Sequence, residues 1–410
     1  DGRDLDAVRR HAQRAIDAGA SNGDLAAAYH LQAVASYWQS GYADAQRQAT
    51  SAARLFREGT SEWFRAVAEA VVSSARLGDY ATLDRWFERA ASADAGPGAE
   101  GAQLVCLCRG TFQMIFAGRF AASDKMLERI GSLSSPSRAS VMLDDLTRAQ
   151  VAHVQGLRAA HAGDVATFLA RLETVGEAFE RTGDRNNVRL ERTTIGWCWA
   201  EIGDFERAEA IVRENMAECI RAGAQQAITY ANVNLGYILT HRPGRRDEAR
   251  SLLGSAIEEC RAVRNSRLEG WARAHASALE HAHGDHETSL EHAVHAVRLL
   301  SAAPSLHGWA LATRARALLA VGRAADALDD ALEAKAKLES LGGLLQGESL
   351  PPLVLAEVLA ALERADEATA AANDARRRVE RRAERLGRPE WRAFFLAVPD
   401  NARTLELGRA

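Results

Sequence analysis

The sequence predicts an all-α fold: a right-handed α-solenoid of about nine helical hairpins with a repeat near 40 residues, closed by a C-terminal capping segment. Three observations predict it. A glycine-marked turn recurs at regular intervals, helical apolar spacing flanks each turn, and the composition favours helix over strand.

The composition sets the frame. A chain of 410 residues exceeds one ordinary core, so it forms either two or three globular domains or one extended array. Hydrophobic residues make up 47% and charged residues 26%, as in a soluble folded protein, and alanine is abundant against only eight prolines. No stretch approaches 18 uninterrupted apolar residues, and the opening Asp1-Gly2-Arg3-Asp4 is not a signal peptide. The formal charge of −4 gives the chain as a whole no electrostatic reason to bind nucleic acid or an anionic membrane. Five cysteines (Cys106, Cys108, Cys198, Cys219, Cys260) form neither an even framework nor a CxxC pair, which points to reduced thiols and a cytoplasmic location.

The turns come in order at Gly41, Gly78, Gly118, Gly163, Gly203, Gly244, Gly284 and Gly322, separated by 37, 40, 45, 40, 41, 40 and 38 residues. A ninth, without glycine, falls near Arg364-Ala365-Asp366. Glycine ends a helix by taking the left-handed conformation without a Cβ clash. An Asp after it, as at Asp79, Asp164, Asp204 and Asp285, caps the next helix. Around one turn the apolar residues Ile195, Trp199 and Ile202 precede it, and Phe205, Ala208, Ile211 and Val212 follow it. Small residues such as Ala208, Ala249 and Ala327 fall where paired helices approach closely.

In three units these residues resemble the tetratricopeptide family. Ile195-Gly196, Trp199, Gly203, Phe205 and Ala208 stand at that family's Leu-Gly, aromatic, Gly, aromatic and Ala positions. Leu235-Gly236 with Ala249, and Gly322 with Ala327 and Ala334, repeat parts of the pattern. The family's usual period is nearer 34 residues, and Asn215 stands where an alanine is typical. The longer beat resembles the superhelical arms of large bacterial regulators, of the kinase–ATPase or maltose-regulon-activator type. The resemblance implies a protein-interaction or sensor arm.

Residues 1–22 read as the trailing helix of a truncated hairpin, 23–386 as the repeat array and 387–410 as the cap. The expectation is a fragment of a longer protein. Gly-, Ser- and Pro-rich stretches at 91–101, 131–140 and 341–352 mark bends between hairpins. In the last segment, Trp391, Phe394 and Phe395 are suited to cover the final apolar face.

The sharpest catalytic pattern is His281-Ala282-His283-Gly284-Asp285-His286, which fits the HxHxDH motif of metallo-β-lactamase-like hydrolases. That motif belongs after a β-strand, whereas here it straddles a helical turn. With His275, His292 and His295 the cluster reads first as a solvated polar face and second as a metal or proton-sensing group. No P-loop, HExxH, GxSxG or kinase signature is present, so the segment reads as non-enzymatic and without a cofactor. The run Arg376, Arg377, Arg378, Arg381, Arg382, Arg385 and Arg388 is interleaved with Glu380 and Glu384 and reads as a solvated helix face.

First helices line the concave side of a tetratricopeptide superhelix, so their aromatic and polar residues are the candidates for a ligand-facing surface. These are Trp197, Trp271, Trp309, Arg192, Asn232 and Arg273. The expected partner is a protein or peptide, such as another domain of the same parent protein. A small-molecule effector is the alternative, and a metal-binding hydrolase at His281 is the third.

Overall fold

The computed structural model describes residues 4–135 and 143–407. Part of the bend at 131–140 (residues 136–140) lies outside them, as do residues 1–3 and 408–410 of the terminal segments. The described residues form twenty-one α-helices and no strand. The α-solenoid of consecutive hairpins that the turn spacing predicts is the observed fold. Two compact units are distinguished: Asp1–Gln155 with Thr174–Arg185 and Ala222–Gln226, and Gly156–Glu173 with Asn186–Arg221 and Ala227–Ala410. No helix among the described residues is long and apolar enough to cross a membrane.

In the first unit, α1 (Leu5–Asp17) packs on α2 (Asn22–Trp38), which pairs with α3 (Tyr42–Leu55). The next pairs are α4 (Ser61–Leu77) with α5 (Tyr80–Ser92), and α6 (Glu100–Phe116) with α7 (Phe120–Leu133). A further hairpin, α8 (Asp145–His161) with α9 (Val165–Thr182), contributes to both units. The second unit continues with α10 (Arg185–Ile202) and α11 (Phe205–Arg221), then α12 (Gln225–Thr240) and α13 (Arg246–Ala262). It goes on through α14 (Ser266–Ala282) and α15 (His286–Leu299), and α16 (Pro304–Ala320) and α17 (Ala324–Leu341). The last pair is α18 (Leu350–Ala361) with α19 (Ala365–Arg385), followed by the short helices α20 (Pro389–Ala397) and α21 (Pro399–Leu407).

The turns show why the beat is legible. At Gly78 the backbone is left-handed (φ 73°), and the Asp79 carboxylate accepts from the Thr82 amide at 3.1 Å. Asp164, Asp204 and Asp285 cap their helices in the same way. Where Arg replaces Asp the cap is lost, and Arg119 and Arg323 pair with Asp84 and Asp326 instead. The first turn departs from the expected register. Ser40 takes the left-handed conformation (φ 62°), while Gly41 has ordinary φ and lies where a Cβ would stand 3.3 Å from the Ser36 carbonyl. The ninth turn places Glu363 at φ 59° without any glycine.

In two hairpins a glycine of the first helix receives a hydrophobe of the second: a Cβ at Gly196 would stand 2.3 Å from Val212, and one at Gly236 2.5 Å from Leu253. Ala208, Ala249 and Ala327 are fully buried at such interfaces. Between hairpins, a Cβ at Gly110 of α6 would stand 2.0 Å from Phe87 of α5. Asn215 earns its place where alanine is typical: its amide donates to the Arg189 carbonyl at 2.7 Å and to Thr193 Oγ1 at 2.9 Å, tying α11 to α10. All five cysteines are free and buried, and burial pushes the Cys106 and Cys260 thiols up to about 12.

Two sequence expectations are corrected near the C-terminus. Phe394 does not cover an apolar face; it is exposed, while Phe395 is buried. The helix carrying them returns to the α10–α11 hairpin, where Trp391 meets Trp199 edge-on at 5.2 Å and the Phe394 carbonyl sits over Gly203. The arginine run is not wholly a solvated face either. Arg376 pairs with Glu380 as expected, but Arg382 is half-buried beside Glu348 and Arg385 donates to the Ala162 carbonyl at 2.8 Å.

Candidate functional site

The candidate site is the inner row of the second unit, built from the first helices of successive hairpins. Residues about 40 apart in sequence stand one layer apart in space, so aromatic residues at corresponding helix positions form a ladder. Tyr230 of α12 lies 5.9 Å from Trp271 of α14, ring to ring. Tyr237 of α12 stacks on His275 of α14 at 4.6 Å, and His275 lies 4.8 Å from Trp309 of α16. Trp271 and His275 are one helical turn apart, which puts both on the same face of α14. The Tyr237 hydroxyl donates to Glu201 of α10 at 2.9 Å.

The segment between α17 and α18 fills this row. Loops normally lie at the surface, because buried backbone must find partners. Here Leu344, Leu345, Gln346, Glu348 and Ser349 are all buried. The Leu345 amide donates to Ser305 Oγ at 2.8 Å, and Trp271 Nε1 donates to the Gln346 side-chain oxygen. Gly347 lies against Trp309 so closely that a Cβ would stand 2.3 Å from the indole. Gly343 lies over the His161 carbonyl, and Glu348 faces Arg382 at 3.8 Å.

Beside the segment is a cavity of about 580 Å³, lined also by Phe395 of α20 and by Pro399, Asp400 and Asn401 of α21. Its charged lining includes Glu201, Arg316, Glu348, Arg382 and Asp400. Arg316 and Asp400 are paired at 2.9 Å. Burial raises the Glu201 carboxyl to about 7, opposed by the positive charge of Arg382 and the Tyr237 hydrogen bond. Burial likewise lowers His275 to about 3, and His241 and His281 to about 4. Near neutral pH these imidazoles are uncharged and Glu201 is partly protonated. The cavity therefore offers polar groups with little fixed charge on its ring-lined wall.

Of the six residues nominated from the sequence, the structure gathers two with the segment. Trp271 and Trp309 both touch it. Trp197 is buried elsewhere, edge-on to Phe168 at 6.4 Å. Arg192 pairs with Glu218 of α11 at 2.9 Å, so it braces its own hairpin. Arg273 is buried and pairs with Glu269 of its own helix at 2.9 Å, two residues round from the Trp271 face. Asn232, half-buried, shares a helix face with Gly236, which meets α13. The histidine-rich stretch does not converge. His281 and His286 are 5.3 Å apart ring to ring, His283 bonds the Leu279 carbonyl, and His275 sits in the aromatic ladder. Among the described residues no three His, Cys, Asp or Glu side chains are placed to hold a metal ion.

Sequence reasoning missed Glu201, Tyr237, Gln346, Gly347 and Glu348. A signal for the first two was available, since Glu201 and Tyr237 lie 36 apart and Tyr237 and His275 lie 38 apart, close to the repeat. Nothing in the segment's composition separates a buried insert from a surface linker.

No family model and no curated protein matches the chain. Solved structures do. The chain is similar to a Rap protein complexed with Competence and Sporulation Factor, with 11% identity and a TM-score of 0.57 over 85% of this chain and 98% of that one. It is also similar to NprR in complex with its cognate peptide NprX, with 12% identity and a TM-score of 0.52 over 84% of this chain and 96% of that one. At these identities the likeness is one of fold.

Proposed function

We propose that this chain is a non-catalytic regulatory module that recognises a linear protein or peptide segment along the inner row of its second unit. One observation carries the reading: Trp271 of α14 and Trp309 of α16, with Ser305, meet one buried, bent stretch of chain through a bond to the Gln346 side chain, a close approach to Gly347 and a bond from the Leu345 amide. Rigid aromatic surfaces with a few directional donors suit extended peptides. The similarity of fold to NprR, solved with its cognate peptide, supports the assignment. Trp271 and Trp309 are the ligand-facing residues in this proposal, with Trp197, Arg192, Asn232 and Arg273 supporting the hairpins behind them.

The test is photo-crosslinking with a pool of benzophenone-bearing peptides, followed by mapping of the attachment sites. Crosslinks should fall on α12, α14 and α16, and Trp309→Ala should lower capture at least about tenfold while helicity is kept. Crosslinks confined to the second helices of the hairpins would refute the assignment.

The cavity favours a second reading, a small-molecule effector, because about 580 Å³ suits a metabolite-sized ligand. A thermal-shift screen with metabolites addresses it, since a ligand bound only to the folded state raises Tm. Within the same proposal the chain acts in the cytoplasm as the arm of a larger bacterial signal-transduction protein. The divisions at residues 22 and 386 are then segment boundaries that limited proteolysis would report.

A further inference from the structure

We infer that residues Leu344–Glu348 are a built-in ligand of the inner row, and that an external peptide of the same chemistry binds by displacing them. The inference rests on the peptide-recognition reading above and specifies both the ligand class and its control.

Each residue of the segment meets a dedicated partner. Leu344 packs into the space left by the missing side chain of Gly308, against the stem of Lys337. The Leu345 amide is held by Ser305, and the Gln346 side chain by the Trp271 indole. Gly347 is the residue that fits flush against Trp309, and Glu348 lies on the Arg382 side. This is peptide recognition in form: an apolar anchor, one main-chain bond, one side-chain amide bond, a glycine and an acid. The ligand class is therefore a linear segment reading apolar, apolar, amide, glycine, acid.

The segment is also built to leave. It is flanked by Gly342 and Gly343, with φ of 71° and 158°, so the chain can redirect there at little steric cost. Its hydrogen bonds to α14 and α16 number one from the Trp271 indole and one to Ser305, and the helices α17 and α18 end and begin at Leu341 and Leu350, outside it. A tethered occupant competes at high effective concentration, and an external ligand binds with an affinity reduced by the fraction of open groove.

The test uses the synthetic peptide Leu-Leu-Gln-Gly-Glu, acetylated and amidated, on the full chain. Gly347→Ala pushes a Cβ into Trp309, and Gln346→Ala removes the bond to Trp271; neither variant alters the groove wall, and circular dichroism confirms their helicity. The peptide should bind both variants at least about tenfold more tightly than the unaltered chain. Hydrogen exchange at residues 343–348 should rise when it binds. Equal affinity for all three proteins, or a segment that stays protected in the complex, would overturn the inference. Capture of pool peptides on the inner row without any binding of this one would sink the inference and leave the peptide-recognition reading standing. Failure of every peptide with every variant would remove both.

Discussion

Two acids, Glu69 of the first unit and Glu201 of the second, are accommodated on opposite terms. Around α4 and α6 the buried side chains are Trp63, Phe64, Val67, Val71, Leu104, Leu107 and Ile115, with Phe87 seated on Gly110. The acid buried there, Glu69, is met by both terminal nitrogens of Arg109, at 2.5 and 3.1 Å. Along the inner row, Glu201 is raised towards neutrality and His275 is lowered to about 3, chiefly because burial disfavours their charged forms. Apolar residues of similar size would hold those helices together at lower cost.

The comparison is most exposed to failure in the first unit. Phe87→Ala removes a ring that is 1% exposed and opens a void against Gly110, so it should cost about 3–5 kcal/mol in denaturant unfolding. A loss under about 1 kcal/mol would mean that this interior is not close-packed.

In the second unit the sharper test is pH. His275 is neutral when folded and takes up a proton near 6.5 when unfolded, so its contribution is present above pH 6.5 and is lost as pH falls towards 3. Between pH 7.5 and pH 5 this amounts to about 2 kcal/mol, at roughly 1.36 kcal/mol per pH unit. His275→Phe should flatten the acid limb of the stability profile by that amount, as read from urea midpoints across the range.

Glu201 works in the opposite sense and more weakly. Its folded carboxyl titrates near 7 against 4.5 for the unfolded chain, so its contribution is complete below pH 4.5 and is lost as pH rises through 7. Partial exposure of the residue dilutes the effect, leaving at most about 1 kcal/mol between pH 6 and pH 8.5. Glu201→Gln should remove that decline. An unchanged alkaline limb would show that the carboxylate is solvated after all.

The same contrast explains what was legible in advance. Turn chemistry is local: Gly78 and Asp79 announce a helix end and the next cap within two residues, and the repeat spacing locates the other hairpins. The inner row was half legible. Trp271 and Trp309, nominated as first-helix aromatics, meet the segment at 346–347, whereas Arg273, only two residues from Trp271, pairs with Glu269. Helix rotation changes by about 200° over two residues, so nominating first-helix positions without tracking the face selected both kinds.

The sequence by itself determined the hairpins, because each turn and each close helix approach depends on residues within about 40 positions of one another. The tertiary structure alone decided that Gln346 meets Trp271, 75 residues earlier, and that Trp391 returns to Trp199. Those contacts depend on how small rotations accumulate from one hairpin to the next, and that sum is recorded in no single motif.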